Sequence, residues 1–344
     1  MRTDEAVDPA TSKNASLPLI PEAKTHPKQI YGVASPRPPQ ARTLQPIAIP
    51  ENRLTLQQEI ERCEPLGQTR DHKKIVLYRC QGESPVMREI GRLREEVFRR
   101  IGEGTGKHRD IDAYDPSYLH IVLWDEHDLE IVGAYRLCST HQVIHDGDSI
   151  LYTQTLFDYQ PDAKPILQAG LELGRSFVQP RYWGSRSLEY LWYGISAFLR
   201  RNPQYRYLFG AVSISNVFSS AAKDLMVGYY QKYYGTDLAL VVGKRPYMID
   251  AASRKEIDDL FQGASTREAF FILKQQLGHM GFSVPVLYKQ YSELCKPGGT
   301  VFSGFNIDPD FNDCVDGLVV VDITHISEIK KKRYGLTDHV VTTE

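Results

Sequence analysis

The chain has little of what several function classes require. Five cysteines, Cys63, Cys80, Cys138, Cys295 and Cys314, are spread over 344 residues with no C-x-x-C pair. Such an odd, scattered set argues against a disulfide framework and predicts a reducing compartment, the cytoplasm. Neither charge dominates: 41 Lys and Arg stand against 43 Asp and Glu, so no global basic field argues for nucleic acid. No apolar run nears the ~20 residues needed to span a bilayer. The longest, such as Leu119–Trp124 and Leu318–Val321, are strand-sized. The N-terminal segment lacks the basic, then apolar, then small-residue order of a signal peptide. G-x-S-x-G, Walker A and G-x-G-x-x-G motifs are missing, which argues against serine hydrolysis and nucleotide hydrolysis. His120, His127, His141 and His145 lack zinc spacing. Asp146-Gly147-Asp148 and Asp308-Pro309-Asp310 lack the calcium-loop pattern, so no metal site is expected.

What is present is unevenly distributed. Nine of the 20 prolines fall in the first 50 residues. Residues 1–70 therefore read as a Pro-rich, solvated, disordered extension. Residues 71–335 read as a single enlarged domain, and 336–344 as a tail. Ser84 followed by Pro85 predicts a helix start, and Val86, Ile90, Leu93, Val97 and Ile101 mark one apolar face over 85–101. Gly102, Gly104 and Gly106 then predict a mobile loop. Runs 118–124 and 129–138 around a polar turn predict a hairpin. A strand is expected over 167–178, a helix over 187–201, and a strand over 205–214. The next helix, capped by Ser215 or Asn216, closes near Gly235. A short strand at 238–242, a helix near 285–295 and a strand near 317–323 follow. This mixed order predicts an α/β or α+β sheet protein.

Three constellations carry candidate chemistry. Glu172-Leu173-Gly174-Arg175 places opposite charges in an apolar strand, where burial is costly unless they are paired. On a regular strand residues 172 and 175 face opposite ways; a bulge at Gly174 puts both on one side. The plain alternative is a structural ion pair. Arg94, Asp112, Asp115 and Arg136 recur beside core segments, which predicts a polar cluster in a cleft. The turn Arg181 to Arg186, with Gly184, joins a strand to a helix N-terminus and suits a phosphate.

Together these residues resemble the GNAT-like N-acyltransferases of the acyl-homoserine-lactone synthase group, above all the ornithine-lipid branch. Arg94-x-x-x-Phe98 resembles the first-helix motif, and Asp112-x-x-Asp115 the paired acidic positions. Val132-Gly-Ala-Tyr-Arg136-Leu is similar to the G-x-x-R-L strand, and Glu172-Leu-Gly-Arg175 to the E-x-x-R strand. Tyr118 to Ile121, Tyr152 to Phe157 and the late Asp308-Pro309-Asp310-Phe311 segment look like the ornithine-lipid pattern. Arg186 departs from the phosphate motif by replacing its last small residue.

The resemblance implies a mixed, mostly antiparallel twisted sheet flanked by helices, with a bulged, splayed central strand. It implies transfer of a fatty acyl group from acyl carrier protein, or from coenzyme A, to an amino-acid amine, ornithine first. No permanently bound cofactor is expected. In that frame Glu172 is a base or ammonium holder, and backbone near Gly174 serves the oxyanion. Asp112 and Asp115 bind cationic groups, Arg136 and Arg175 pair with them or hold a carboxylate, and Arg94 ties the first helix down. Arg181, Gly184 and Arg186 face the donor phosphate; Phe177, Trp192 and Phe198 line the acyl slot. Arg181, Arg186, Arg200, Arg201 and Arg206 offer a face to acidic carrier protein, and Lys330 to Arg333 one to anionic lipid, with transient contact at the inner membrane. The alternatives are acylation of glycine, lysine, glutamine or tyrosine, a signal synthase using S-adenosylmethionine, and a non-catalytic lipid-binding module.

Overall fold

The computed structural model describes residues 44–141, 143 and 151–337, within the unit Thr43–Glu344. The expected extension up to residue 43 and the tail from 338 lie outside the described residues, as do His145 and Asp146 to Asp148. The folded part starts before residue 71. Asn52 caps α1 (Arg53–Ile60), accepting from the Leu54 and Thr55 N–H groups. Leu56 and Ile60 are buried, and β1 (Glu64–Gln68) pairs antiparallel with β2 (Lys74–Arg79). The short helix that the sequence suggests over Leu54 to Cys63 thus forms, shifted one residue toward the N-terminus at its start and closing at Ile60.

The first long helix, α2 (Pro85–Arg100), forms where expected. Ser84 Oγ accepts from the Met87 N–H at 3.0 Å, and Pro85 occupies the first turn where no donor is missed. The following glycine loop is clamped. Glu95 accepts from the Thr105 and Gly106 N–H groups at 3.0 and 2.8 Å, so its carboxylate replaces the lost helical partners and corrects the expectation of a mobile loop.

β3 (Leu119–Asp125) and β4 (Glu130–Ser139) form the hairpin. β5 (Phe157–Tyr159) starts a small second sheet. α3 (Lys164–Ala169) takes the first part of the expected strand 167–178, leaving β6 (Gly170–Val178). α4 (Ser187–Arg201), β7 (Tyr207–Ile214) and α5 (Ser220–Tyr234) follow. Ser219, not Ser215 or Asn216, caps α5. β8 (Val241–Gly243) pairs with β5. Next come α6 (Ala251–Leu260), α7 (Thr266–His279) and α8 (Val286–Ser292), then β9 (Thr300–Asp308), β10 (Cys314–Asp322) and α9 (Glu328–Tyr334). Sequence reading anticipated neither α6, α7 nor β9.

The large sheet runs β1-β2-β3-β4-β6-β7-β10-β9, antiparallel except where β6 meets β7. Alternation sorts its residues. Ile121, Leu123, Leu171 and Leu173 join α4, α5, α7 and α8 in one core; Val122, Trp124 and Ala134 join α1 and α2 in another. The site develops on the α2 face. No helix among the described residues is long and apolar enough to cross a membrane.

Candidate active site

β6 and β7 pair in parallel only from Gly170 to Glu172, against Tyr207 to Phe209. Beyond that the strands part, and a cavity of about 860 Å³ opens, lined by residues of both. A bulge lies beside the gap. On β4 Arg136 faces Gly174 and Ala134 faces Phe177, so Tyr135 alone opposes Arg175 and Ser176. The strained residue is Arg175, with φ of 47°, rather than the glycine before it. The flip puts Phe177 with α2 while Leu171 and Leu173 stay on the α4 side. Glu172 and Arg175 consequently line the same cavity.

Strain at Arg175 is offset by its surroundings. Its guanidinium lies 4.5 Å from the Tyr152 ring and 4.8 Å from that of Phe311, and Nε is 3.2 Å from an Asp110 oxygen. Arg94 is fully buried and binds both Asp115 oxygens, at 2.8 and 2.7 Å, and the Asp110 carbonyl. It thus ties α2 to the 110–115 loop. Burial alone would raise the Asp115 carboxyl, but the charges and hydrogen bonds of Arg94 and Arg136 hold it well below the usual carboxylate range. His120, buried beside them, is pushed down to about 4 by burial and is neutral at physiological pH.

Arg136 directs Nη1 to Asp112 at 2.6 Å and to Asp115 at 3.0 Å. Its Nε and Nη2 are buried with no hydrogen-bond partner, and the group lies near the Tyr118 and Tyr152 rings at the polar end of the cavity. Glu172 is occupied. It accepts from Thr153 N–H at 2.7 Å, Thr153 Oγ1 at 2.5 Å, Tyr152 N–H at 3.2 Å and the Tyr118 hydroxyl. A carboxylate already serving four donors suits a post that fixes Tyr118 and the 151–155 turn better than a proton acceptor.

The remaining candidates divide. Phe177 and Gly184 line the cavity, Gly184 with φ of 77° beside Tyr182, Trp183 and Ser185 at its edge. Trp192 and Phe198 do not. The first packs on Tyr291 and Tyr334, the second on Tyr205, because both project from the α4 face into the opposite core. Arg181 is paired with Asp128 and Glu130, and Arg186 with Glu189. Arg201 and Arg206 pair with Glu64 and Asp322, and Arg200 donates to backbone carbonyls. The proposed basic face is therefore largely neutralised within the chain.

Two carboxylates escaped the sequence reading. Glu103, half-buried, and Asp316, 2% exposed, both line the cavity. Burial, then the nearby Asp316 charge, pushes Glu103 up to about 8; burial, then Asp308, pushes Asp316 up to about 7. Asp316 carried a legible signal, a lone charge in the apolar run Cys314 to Val321. The segment 281–287, which walls the cavity from the α7–α8 connection, carried none. Among the described residues no group of His, Cys, Asp and Glu is arranged to hold a metal.

A deep cleft between parted strands, apolar along its length and polar at one end, has the form of an acyl-transfer site. Residues 93–193 match the family model described as acetyltransferase (GNAT) domain. The chain is 30% identical over 305 residues to the glycine N(alpha)-acyltransferase of Phocaeicola vulgatus, covering 85% of this chain and 93% of the relative. It is 26% identical over 270 residues to the L-ornithine N(alpha)-acyltransferase of Rhodobacter capsulatus, covering 74% and 93%. The chain belongs to this family of GNAT-type N-acyltransferases and is an acyltransferase. The solved CoA-dependent acyl-homoserine lactone synthase MesI superposes with a TM-score of 0.28 at 14% identity, covering 66% of this chain and 74% of that one.

Proposed function

We propose that the chain transfers a fatty acyl group from a carrier thioester to the α-amine of an amino acid, with glycine the first acceptor. The observation that carries this reading is the unpartnered Nε and Nη2 pair of Arg136 at the polar end of the cavity. A guanidinium edge with two free donors matches a carboxylate bidentately. The acceptor carboxylate sits there, with its amine turned toward the β6 bulge. The acyl chain runs along Phe177, Val212, Phe218 and Val284, and the pantetheine arm leaves past Gly184. Backbone at Gly174, where an added Cβ would meet nothing, leaves room for the thioester carbonyl. Glu172 holds the Tyr118 and Tyr152 wall, and Arg94 and Asp115 hold the loop carrying Asp112.

Glycine is favoured by the near full-length match to relatives bearing that activity. Ornithine is the second reading, favoured by the surplus of carboxylates over arginines at the cavity, which suits a second ammonium. The donor is an acyl carrier protein or coenzyme A thioester. Because the surface arginines are paired internally, carrier docking rests on the apolar edge at Trp183, 50% exposed, more than on a basic field. An N-acylated amino acid is amphipathic, so its release involves contact with a lipid surface.

The test is incubation of the purified protein with palmitoyl-loaded carrier protein or palmitoyl coenzyme A and a panel of amino acids, with products read by mass spectrometry. Transfer to glycine but not to glycinamide is expected, because the amide lacks the carboxylate that Arg136 recognises. Equal transfer to both, or to neither glycine nor ornithine, overturns the reading.

A further inference from the structure

Acyl transfer to an ammonium needs a proton acceptor, and the carboxylate expected to serve, Glu172, already accepts four hydrogen bonds. Two other carboxylates face the same cavity and belong to no ion pair within it. Asp316 lies on β10 opposite Ser213 of β7, beside the stretch where β7 leaves β6. It is 2% exposed, and its Oδ1 has no hydrogen-bond partner. Glu103 comes from the loop after α2, held between Gly102 and Gly104 at φ of 78° and 99° and anchored by its N–H to the Phe98 carbonyl at 2.8 Å. That backbone conformation is readily adopted only by glycine, so the turn presents the one side chain between them.

We infer that Glu103 and Asp316 are the base of the transfer reaction, taking the acceptor's proton at the open end of the β6–β7 gap. The inference rests on the acyl-transfer reading. The acceptor arrives as an ammonium, and one proton passes to the carboxylate pair. The freed nitrogen lone pair attacks the thioester carbonyl, forming the C–N bond. The tetrahedral intermediate collapses with cleavage of the C–S bond. The second proton lost by nitrogen goes to the departing thiolate, and the pair returns its own proton to solvent through the open cavity. No covalent acyl-enzyme forms.

The groups facing the pair explain why it suits this task. Asp308 from the end of β9 disfavours ionisation of Asp316, and Asp316 that of Glu103; a hydrogen bond from Ser213 to Asp316, and Arg175 from β6 for both, oppose this. Tyr152, Tyr288 from α8 and Cys314 face the pair as neutral groups, their own ionisation held off by burial. A base works best when its affinity for a proton is matched to the working pH, and ordinary carboxylates are too weak for an ammonium. The arrangement raises that affinity without any histidine.

The test uses the full chain and two readouts. In steady-state transfer from palmitoyl coenzyme A, Glu103→Gln and Asp316→Asn are expected to lower kcat at neutral pH by roughly 100-fold or more while leaving KM for both substrates nearly unchanged. The loss is expected to shrink at alkaline pH, where the acceptor amine is itself free. Variants with wild-type kcat, or with a loss that is the same at every pH, overturn the base. Carboxyl 13C NMR of the wild-type protein, assigned with the two variants, gives a readout independent of turnover. Titration of the two groups near neutrality supports the inference; titration around 4, the ordinary carboxylate range, overturns it. A wild-type protein that acylates no amine overturns the acyl-transfer reading and the base role with it. A wild type that transfers while both variants keep its rate overturns the base alone.

Discussion

Glu172 and Arg175 sit on opposite-facing positions of β6 by count, yet both side chains line one cavity, because Arg175 takes φ of 47° and turns the strand over. A left-handed conformation costs a non-glycine residue about 1–2 kcal/mol. The cost is met by the Tyr152 and Phe311 rings and the Asp110 carboxylate.

Arg175→Gly and Arg175→Ala separate the two effects. Both lose the guanidinium, and transfer is expected to fall by roughly 100-fold, as for a displaced site. Only alanine keeps the backbone strain. Arg175→Gly is therefore expected to be more stable than Arg175→Ala by about 1 kcal/mol in urea denaturation. Equal stabilities would show that the bulge is not strained at this residue.

Glu172→Gln turns one acceptor oxygen into a donor among four donors. At least one buried donor then loses its partner, at a cost of about 1–3 kcal/mol. The measurement is the denaturation midpoint. Because Glu172 is assigned as a post, the residual activity at low temperature is expected to keep the wild-type pH profile.

Arg94→Met leaves the Asp115 charge buried with Arg136 and the Asp112 N–H as its remaining partners. Removing one side of such a pair costs about 3–5 kcal/mol. The depressed Asp115 carboxyl contributes stability that is complete above its unfolded value of 3.8 and is lost as pH falls. Acid denaturation followed by circular dichroism is expected to begin below about pH 4 in the wild type and to be shallower in Arg94→Met, whose Asp115 is held less strongly.

Asp316 has the opposite sign. Its folded value of about 7 lies above the ordinary 3.8, so stability is fully present below the lower value and declines as pH rises to the upper one. Asp316→Asn is expected to remove that decline and to be the more stable protein at pH 8. Parallel stability curves for the two proteins would contradict the assigned burial.

Val284 walls the apolar part of the cavity from the α7–α8 connection. Val284→Trp is expected to shift kcat/KM toward shorter acyl thioesters, with the acceptor KM unchanged. An unaltered chain-length profile would place the acyl group elsewhere.

The charged residues on the α2 face were legible as a buried polar cluster. Arg94, Asp115, Arg136 and Glu172 stand next to apolar stretches, where unpaired charge is too costly to be accidental; the structure joins the first three by hydrogen bonds and sets Glu172 on the same cavity as Arg136 with donors of its own. Their pairing was not legible. Arg94 and Asp115 meet across 21 residues through a loop that no periodicity describes. Trp192 and Phe198 looked equally suited to an acyl slot, since an apolar helix face does not state which side of the sheet it covers.

Local pattern by itself determined α2, the β3–β4 hairpin and α4, because each depends on caps and spacing within one window of chain. It also isolated the E-x-x-R strand as an anomaly. Only the tertiary structure decided which residue carries the bulge, how far β6 stays with β7, and that Glu103 and Asp316 share the resulting gap. The last of these depends on segments more than 200 residues apart, which meet where Asn312 donates to the Gly102 carbonyl at 2.8 Å. Long-range burial and charge set these outcomes, and neither is written in a local run of residues.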